Sequence, residues 1–346
     1  MDFPVAEPIR EAITATLDRG DLGYPDWPVN PLAEPFAARM ATRHGWNADP
    51  GHVRTLTDVI QGLQIVTELA TEPGDGIVVA LPNYPPFLAS VPGQQRRLLP
   101  LYVEQVDDSW RWDLARLDRD LDQHNAKVVL LVNPHNPTGR VLTRAELTDL
   151  AQLVLRRDLL VISDEIHADL TYPGHHHIPF ASLHPDVARR TVTLTSATKA
   201  FNIAGLRCAV AHIGPDDLRR RWDAQAPDVR GAVNVLGVEA TRAAWLDGDT
   251  WLEGVRAHLT AQRSRLNTRL QPLPVHFIPP EATYLAWLDW TDARLNADVT
   301  AFFREHAGVE LAAGPNYGGT PNHTRLNFAT STAVLDEVLD RISALV

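Results

Sequence analysis

The chain has 346 residues, 45% hydrophobic and 22% charged, a balance that excludes a disordered or fibrous chain and allows a substantial core in one large or two smaller domains. A formal net charge of −11 opposes nonspecific binding to nucleic acid or to an anionic membrane, whose phosphates would meet mostly like charge. The single cysteine, Cys208, excludes intrachain disulfides and multi-cysteine metal sites, fits a cytoplasmic setting and reads as a small buried hydrophobe.

The opening MDFPVAEPIREAI lacks a basic stretch followed by an apolar core, and no apolar run reaches membrane-spanning length. Apolar, β-branched runs predict strands over 77–80, 128–132, 159–163, 191–195 and 208–213, and GLQIVTELA, from Gly62, predicts an apolar helix. A second, amphipathic helix is predicted over 143–155. Thr143 is its N-cap, Glu146 completes a capping box, and Leu147, Leu150, Ala151 and Val154 share one face. Alternation of strands and helices, with continuously apolar VVLLV and LLVIS, implies an α/β fold around a mostly parallel sheet. Beyond about residue 245 the pattern changes to a long polar helix over 250–270, a strand-like TYLAWLDW and a closing helix over 333–345. The expected division is a large domain over 25–245 and a smaller α+β domain formed by 1–24 with 246–346.

Ligands of parallel sheets sit at the carboxyl ends of strands, and Asn133, Asp164 and Ser196 each follow the apolar part of a predicted strand. In TVTLTSATKAFNIAGLR, Lys199 leaves such a strand beside Ser196 and Thr198, with Arg207 following. A lysine with a suppressed charge attacks a carbonyl, and hydroxyls with a guanidinium grip a phosphate. On spacing alone, Lys199 is equally a surface lysine at a strand end. In NPHNPTG, Asn136 is either a rigid amide donor or the start of an Asx turn. Asp164, in SDEIH, is either a helix cap or a buried acid awaiting a cation such as a protonated pyridine nitrogen. Arg325, in HTRLNFATS, is either a carboxylate clamp or half of a surface ion pair.

In order and context, these residues resemble the class I/II aminotransferase superfamily, the fold type I enzymes that use pyridoxal 5′-phosphate, over nearly the whole chain. The resemblance implies that Lys199 is the Schiff-base lysine and catalytic base, that Asp164 pairs with the pyridine nitrogen, and that Asn136 donates to the ring phenolate. Ser196 and Arg207 would bind the phosphate, joined by the amides of Gly62 and Leu63 at the helix start, and Arg325 would hold the substrate carboxylate. Tyr84, in PNYPPF, matches the aromatic that stacks on the ring, and Tyr24, in LGYPD, the tyrosine that crosses a homodimer interface to the partner's cofactor.

DEIHADL followed by HIPFASL resembles the cystathionine β-lyase group, the carbon–sulfur lyases of cysteine S-conjugates, with His167 where aspartate-type aminotransferases carry a tyrosine. The expected reaction is β-elimination from a small-molecule amino acid such as cystathionine, giving a thiol, pyruvate and ammonia. Transamination by the same residues and an inactive regulatory binding protein of this fold are the alternatives. In that group a comparable MDFP stretch follows an N-terminal segment. The expectation is that the chain starts further upstream or lacks a strip that helps cover the site. Ile60-Gln-Gly-Leu63 also departs from the usual phosphate loop, and Arg207 is an aminotransferase-like choice. His175-His-His177 lacks acidic or cysteine partners at ligand spacing, so no metal is expected. The tryptophans, among them Trp110, Trp112, Trp287 and Trp290, read as packing groups.

Overall fold

The structure, a computed structural model, describes residues 1–27, 29–106, 108–122, 124–226, 231–295 and 298–346. Its main sheet has eight strands: β1 (Val53–Leu56), β2 (Gly76–Leu81), β3 (Arg97–Val106), β4 (Ser109–Trp112), β5 (Ala126–Val132), β6 (Leu160–Asp164), β7 (Thr191–Thr195) and β8 (Ala209–Ile213). Their order is β1-β8-β7-β6-β5-β2-β3-β4. The five central strands from β7 to β3 run parallel, whereas β8, β1 and β4 pair antiparallel at the two ends.

The apolar reading of the central strands holds because both faces are covered. Ile77, Val79, Val128, Leu130, Ile162 and Val192 share one buried cluster, and Val78, Val129, Leu131 and Val161 share another beneath the helix Arg144–Arg156. That helix carries the expected capping box between Thr143 and Glu146. Three strands went unpredicted: β1 has four residues, β4 also has four, and β3 has Pro100 and largely alternating exposure at the sheet's end.

A second, four-stranded sheet, ordered β11-β12-β10-β9, contains β9 (His276–Phe277), β10 (Leu285–Asp289), β11 (Ala312–Ala313) and β12 (His323–Asn327), all antiparallel. The helices Asp249–Leu270 and Thr332–Ser343 pack with it in one core that also takes Ala6 and Ile9 from the N-terminal segment.

The sheets are joined where the turn after β5 meets residues 280–284. Gly139, at φ +71°, has its Cβ position only 2.3 Å from Pro280 Cβ, so a side chain is excluded there. Its carbonyl accepts from the amides of Glu281 and Ala282, both at 2.9 Å, and Arg140 binds Glu281 at 2.6 Å and Glu146 at 3.0 Å. Thr283 N donates to Leu170 O at 3.0 Å, which ties the same segment to the loop after β6. Among the described residues, no helix is long and apolar enough to cross a membrane.

Candidate active site

The carboxyl ends of β5, β6 and β7, adjacent in the sheet, open into one cavity of about 460 Å³. Asn136, Asp164, His167, Ser196, Thr198 and Lys199 line it from these three strands, Tyr84 from the loop after β2, and Arg325 from β12 of the second sheet. The site is therefore assembled from residues as far apart in sequence as Tyr84 and Arg325 by the parallel topology and by the junction described above.

Lys199 sits in the turn after β7, where burial lowers the pKa of its amine; Asp164 opposes that shift and Arg325 adds to it. Asp164 ends β6 and is 4% exposed. Burial pushes its carboxyl up to about 7, against the Ile166 amide that donates to its Oδ1 at 3.1 Å; Glu165 raises it further and Lys199 lowers it. The imidazole of His167 is driven down to about 3, first by burial and then by Lys199 and Arg325, so it is neutral near pH 7. Its Nδ1 is buried without a hydrogen-bond partner.

Arg325 reaches over the Tyr317 ring, 4.7 Å from its centroid, and donates from Nη1 to Asn136 Oδ1 at 3.0 Å. Its Nε is buried and unpartnered. Tyr84 precedes the helix Pro85–Gly93, with its ring packed edge-on against Phe87 and its phenol pKa raised by partial burial.

At the other end of the cavity Ser196 Oγ donates to Cys208 O at 2.5 Å and accepts from Thr198 N at 3.0 Å. Arg207, exposed and at φ 48°, forms an ion pair with Asp58. Asp58 caps the helix Val59–Ala70 by accepting from Gln61 N at 2.8 Å. Here the sequence reading of Gly62 and Leu63 is corrected. The helix starts at Val59, so the Gly62 amide is spent on Asp58 O at 3.3 Å, while Leu63 is buried in the core. Gly62 is small for packing, since its Cβ position lies 2.8 Å from Leu194 and Leu56 side-chain atoms. The pocket-lining residues with first-turn amides are Val59 and Ile60. Asp58 followed by an apolar run was the capping signal that could have found this boundary.

Tyr24 is fully exposed and lies outside the cavity of its own chain. Thr57, Asp58, Tyr284 and Asn327 line the cavity and went unnoticed in the sequence; Tyr284 lies in the TYLAWLDW segment, whose strand signal hid its role. His177 is buried against Glu165, whereas His175 and His176 are not buried, so the histidine triplet diverges. Among the described residues, no group of three or more His, Cys, Asp or Glu could hold a metal ion.

A doubly covered, mostly parallel sheet whose carboxyl edge presents a half-buried lysine, a buried acid and an arginine from a second sheet defines an α/β enzyme of carbonyl or amino-acid chemistry. The chain belongs to the aminotransferase class I and II family, whose model matches residues 1–342. It is 36% identical to cystathionine beta-lyase PatB of Bacillus subtilis, over 99% of this chain and 90% of that protein. It is 31% identical to a cystathionine beta-lyase of Corynebacterium glutamicum, over 99% and 91%. The PLP-bound C–S lyase from Staphylococcus hominis superposes with a TM-score of 0.94 at 30% identity, covering all of this chain and 90% of that one. The fold is that of the fold type I enzymes.

Proposed function

We propose that this protein is a pyridoxal 5′-phosphate-dependent carbon–sulfur β-lyase acting on cysteine S-conjugates of the cystathionine kind. The observation that carries the proposal is the convergence of Lys199, Asp164, Asn136 and Arg325 on one cavity, in a chain similar over nearly its full length to cystathionine lyases.

The cavity suits the cofactor group by group. Lys199, which lines the cavity, would hold its aldehyde. Asp164, a buried acid to which no described cation is hydrogen-bonded, suits a protonated pyridine nitrogen. Asn136 has its oxygen occupied by Arg325, which leaves its amide N–H groups for the phenolate oxygen. Neutral His167, with Nδ1 unpartnered, lies on the same wall. Thr198, Arg207, Ser196 after rotation of its hydroxyl, and the Val59 and Ile60 amides suit the phosphate.

Bound there, pyridoxal phosphate supplies an electron sink for the pair left when the substrate Cα–H bond breaks. Arg325 grips the substrate α-carboxylate, which orients the Cα proton toward Lys199. Lys199, its amine pKa lowered by burial, takes that proton and then returns it to the sulfur as the Cβ–S bond breaks with its electron pair. Water completes the balance: conjugate plus water gives thiol, pyruvate and ammonia.

Transamination is the second reading, because the same residues serve it and the family is that of aminotransferases. Pyruvate released from cystathionine without any added 2-oxo acid supports the lyase, and an absolute requirement for an amino acceptor rules it out. The retained Lys199, Asp164, Asn136 and Arg325 speak against an inactive regulatory protein.

The active form is proposed to be a homodimer. Tyr24 is fully exposed, with Leu17, Leu22 and Val29 exposed on the same stretch, which suits a segment that leaves its own chain to reach a second copy. The free, buried Cys208 fits a cytoplasmic setting.

A further inference from the structure

Beside Asp164 lies a buried acid with no part in the chemistry above. Glu165 is 2% exposed and both oxygens of its carboxylate are engaged: Oε1 accepts from Ser163 Oγ at 2.9 Å and from Phe180 N at 3.1 Å, and Oε2 meets His177 Nε2 at 2.9 Å. The His177 side chain is wholly buried. These two residues come from the two stretches DEIHADL and HIPFASL, and the fold joins them in one bond.

The backbone of Glu165 shows what that bond controls. Its amide donates to Leu194 O on β7 at 2.8 Å, and its carbonyl accepts from Ala168 N at 2.9 Å and from Thr195 Oγ1 at 3.3 Å. Glu165 thus lies between Asp164 on one side, His167 two residues further on, and the strand that delivers Lys199. A buried polar pair contributes little net stability compared with apolar residues of the same volume, because desolvation cancels most of the attraction. Its value lies in direction, since a carboxylate with three fixed donors has one orientation.

We propose that Glu165 and His177 form a positioning pair, whose bond fixes the turn 164–167 so that Asp164 and His167 face the cavity in register with Lys199. The inference rests on the cofactor reading given above. The charged and titratable groups around the pair are Asp164 and, through Asp164, Lys199 on the cavity side, and His44 with Asp169 behind. His44 packs edge-on against His177 at 5.2 Å, and its Nε2 lies 3.5 Å from Asp169, which Arg39 binds at 2.9 Å.

The test titrates pyridoxal 5′-phosphate into the cofactor-free full-length protein across pH, reading visible absorption and tryptophan fluorescence, with melting of each cofactor-free variant alongside. His177→Phe fills the space without a donor and should weaken cofactor uptake roughly tenfold or more, about the loss of one charge-assisted hydrogen bond. His177→Gln, whose amide replaces Nε2, should restore it to within about threefold. Glu165→Gln removes a negative charge next to Asp164 and should move the pH midpoint of uptake downward by roughly half a unit or more. A purely structural role would lower melting temperature while leaving that midpoint in place. Uptake by His177→Phe with wild-type affinity, or an unmoved midpoint in Glu165→Gln, overturns the proposal, and if His177→Phe fails to fold the midpoint decides alone. Wild-type protein that takes up no cofactor overturns the cofactor reading itself, a result distinct from unchanged variants in a protein that does load.

Discussion

Arg325 donates to Asn136 across the gap between the two sheets, Nη1 to Oδ1 at 3.0 Å. This bond sets which end of the Asn136 amide faces the cavity and holds the guanidinium beside the Tyr317 ring before any carboxylate arrives. Replacing Asn136 by Asp should therefore capture Arg325 in a charged pair and set the protein's own carboxylate against the substrate's. KM for cystathionine should rise about tenfold or more, equivalent to ~1.4 kcal/mol of binding, with kcat reduced less and the melting temperature kept or raised. A variant with unchanged KM would show that Arg325 does not hold the substrate carboxylate.

Lys199 carries both proposed roles, the covalent link and the proton transfer. Lys199→Ala should abolish the long-wavelength absorption of the linked cofactor and lower kcat by roughly 10²–10⁴-fold or more, the ordinary contribution of a positioned base. Added methylamine is expected to restore part of the turnover. Persistence of both the absorption and the turnover in the variant would place the chemistry elsewhere in the chain.

The strands that lead to Asn136, Asp164 and Lys199 were legible because β5 and β6 are continuously apolar and β7 is β-branched, and the polar residues Asn133, Asp164 and Ser196 end those runs. The link from Arg325 to Asn136 was not legible. It spans 189 positions and depends on where the junction at Gly139 and Glu281 holds the second sheet, which no local pattern encodes. The helix at Val59 was misread for a local reason: Gly62 looked like a helix start, whereas it is an interior residue kept small by Leu56 and Leu194. Glu165 and His177 were visible as motifs, but their partnership required the loop from β6 to fold back on itself.

The raised pKa of Asp164 makes a prediction for the cofactor-free protein. Its carboxyl titrates near 7 when folded and near the ordinary value of about 3.9 when unfolded. Between those values the folded state binds more protons, so this residue's contribution to stability is fully present below about pH 4 and is lost as pH rises through 7. The loss amounts to a few kcal/mol at most, at about 1.4 kcal/mol per unit. Asp164→Asn removes this dependence. The melting temperature of the cofactor-free variant should exceed that of wild type most at about pH 8 and converge with it near about pH 4. An equal difference at all pH values would mean that Asp164 does not titrate in this window.

The exposure of Tyr24 leads to a complementation experiment. If each site combines Lys199 of one chain with Tyr24 of the other, a dimer pairing a Lys199→Ala chain with a Tyr24→Ala chain has one doubly damaged site and one intact site. Random pairing of equal amounts makes about half of the dimers mixed, so about a quarter of all sites should be intact and the mixture should regain about that share of wild-type activity. Each variant alone should be impaired, Lys199→Ala at the chemistry and Tyr24→Ala mainly in cofactor affinity, which is why the assay is run at limiting cofactor. Activity of the mixture no greater than the average of the two parents would show that the sites are not shared and that Tyr24 serves its own chain or none.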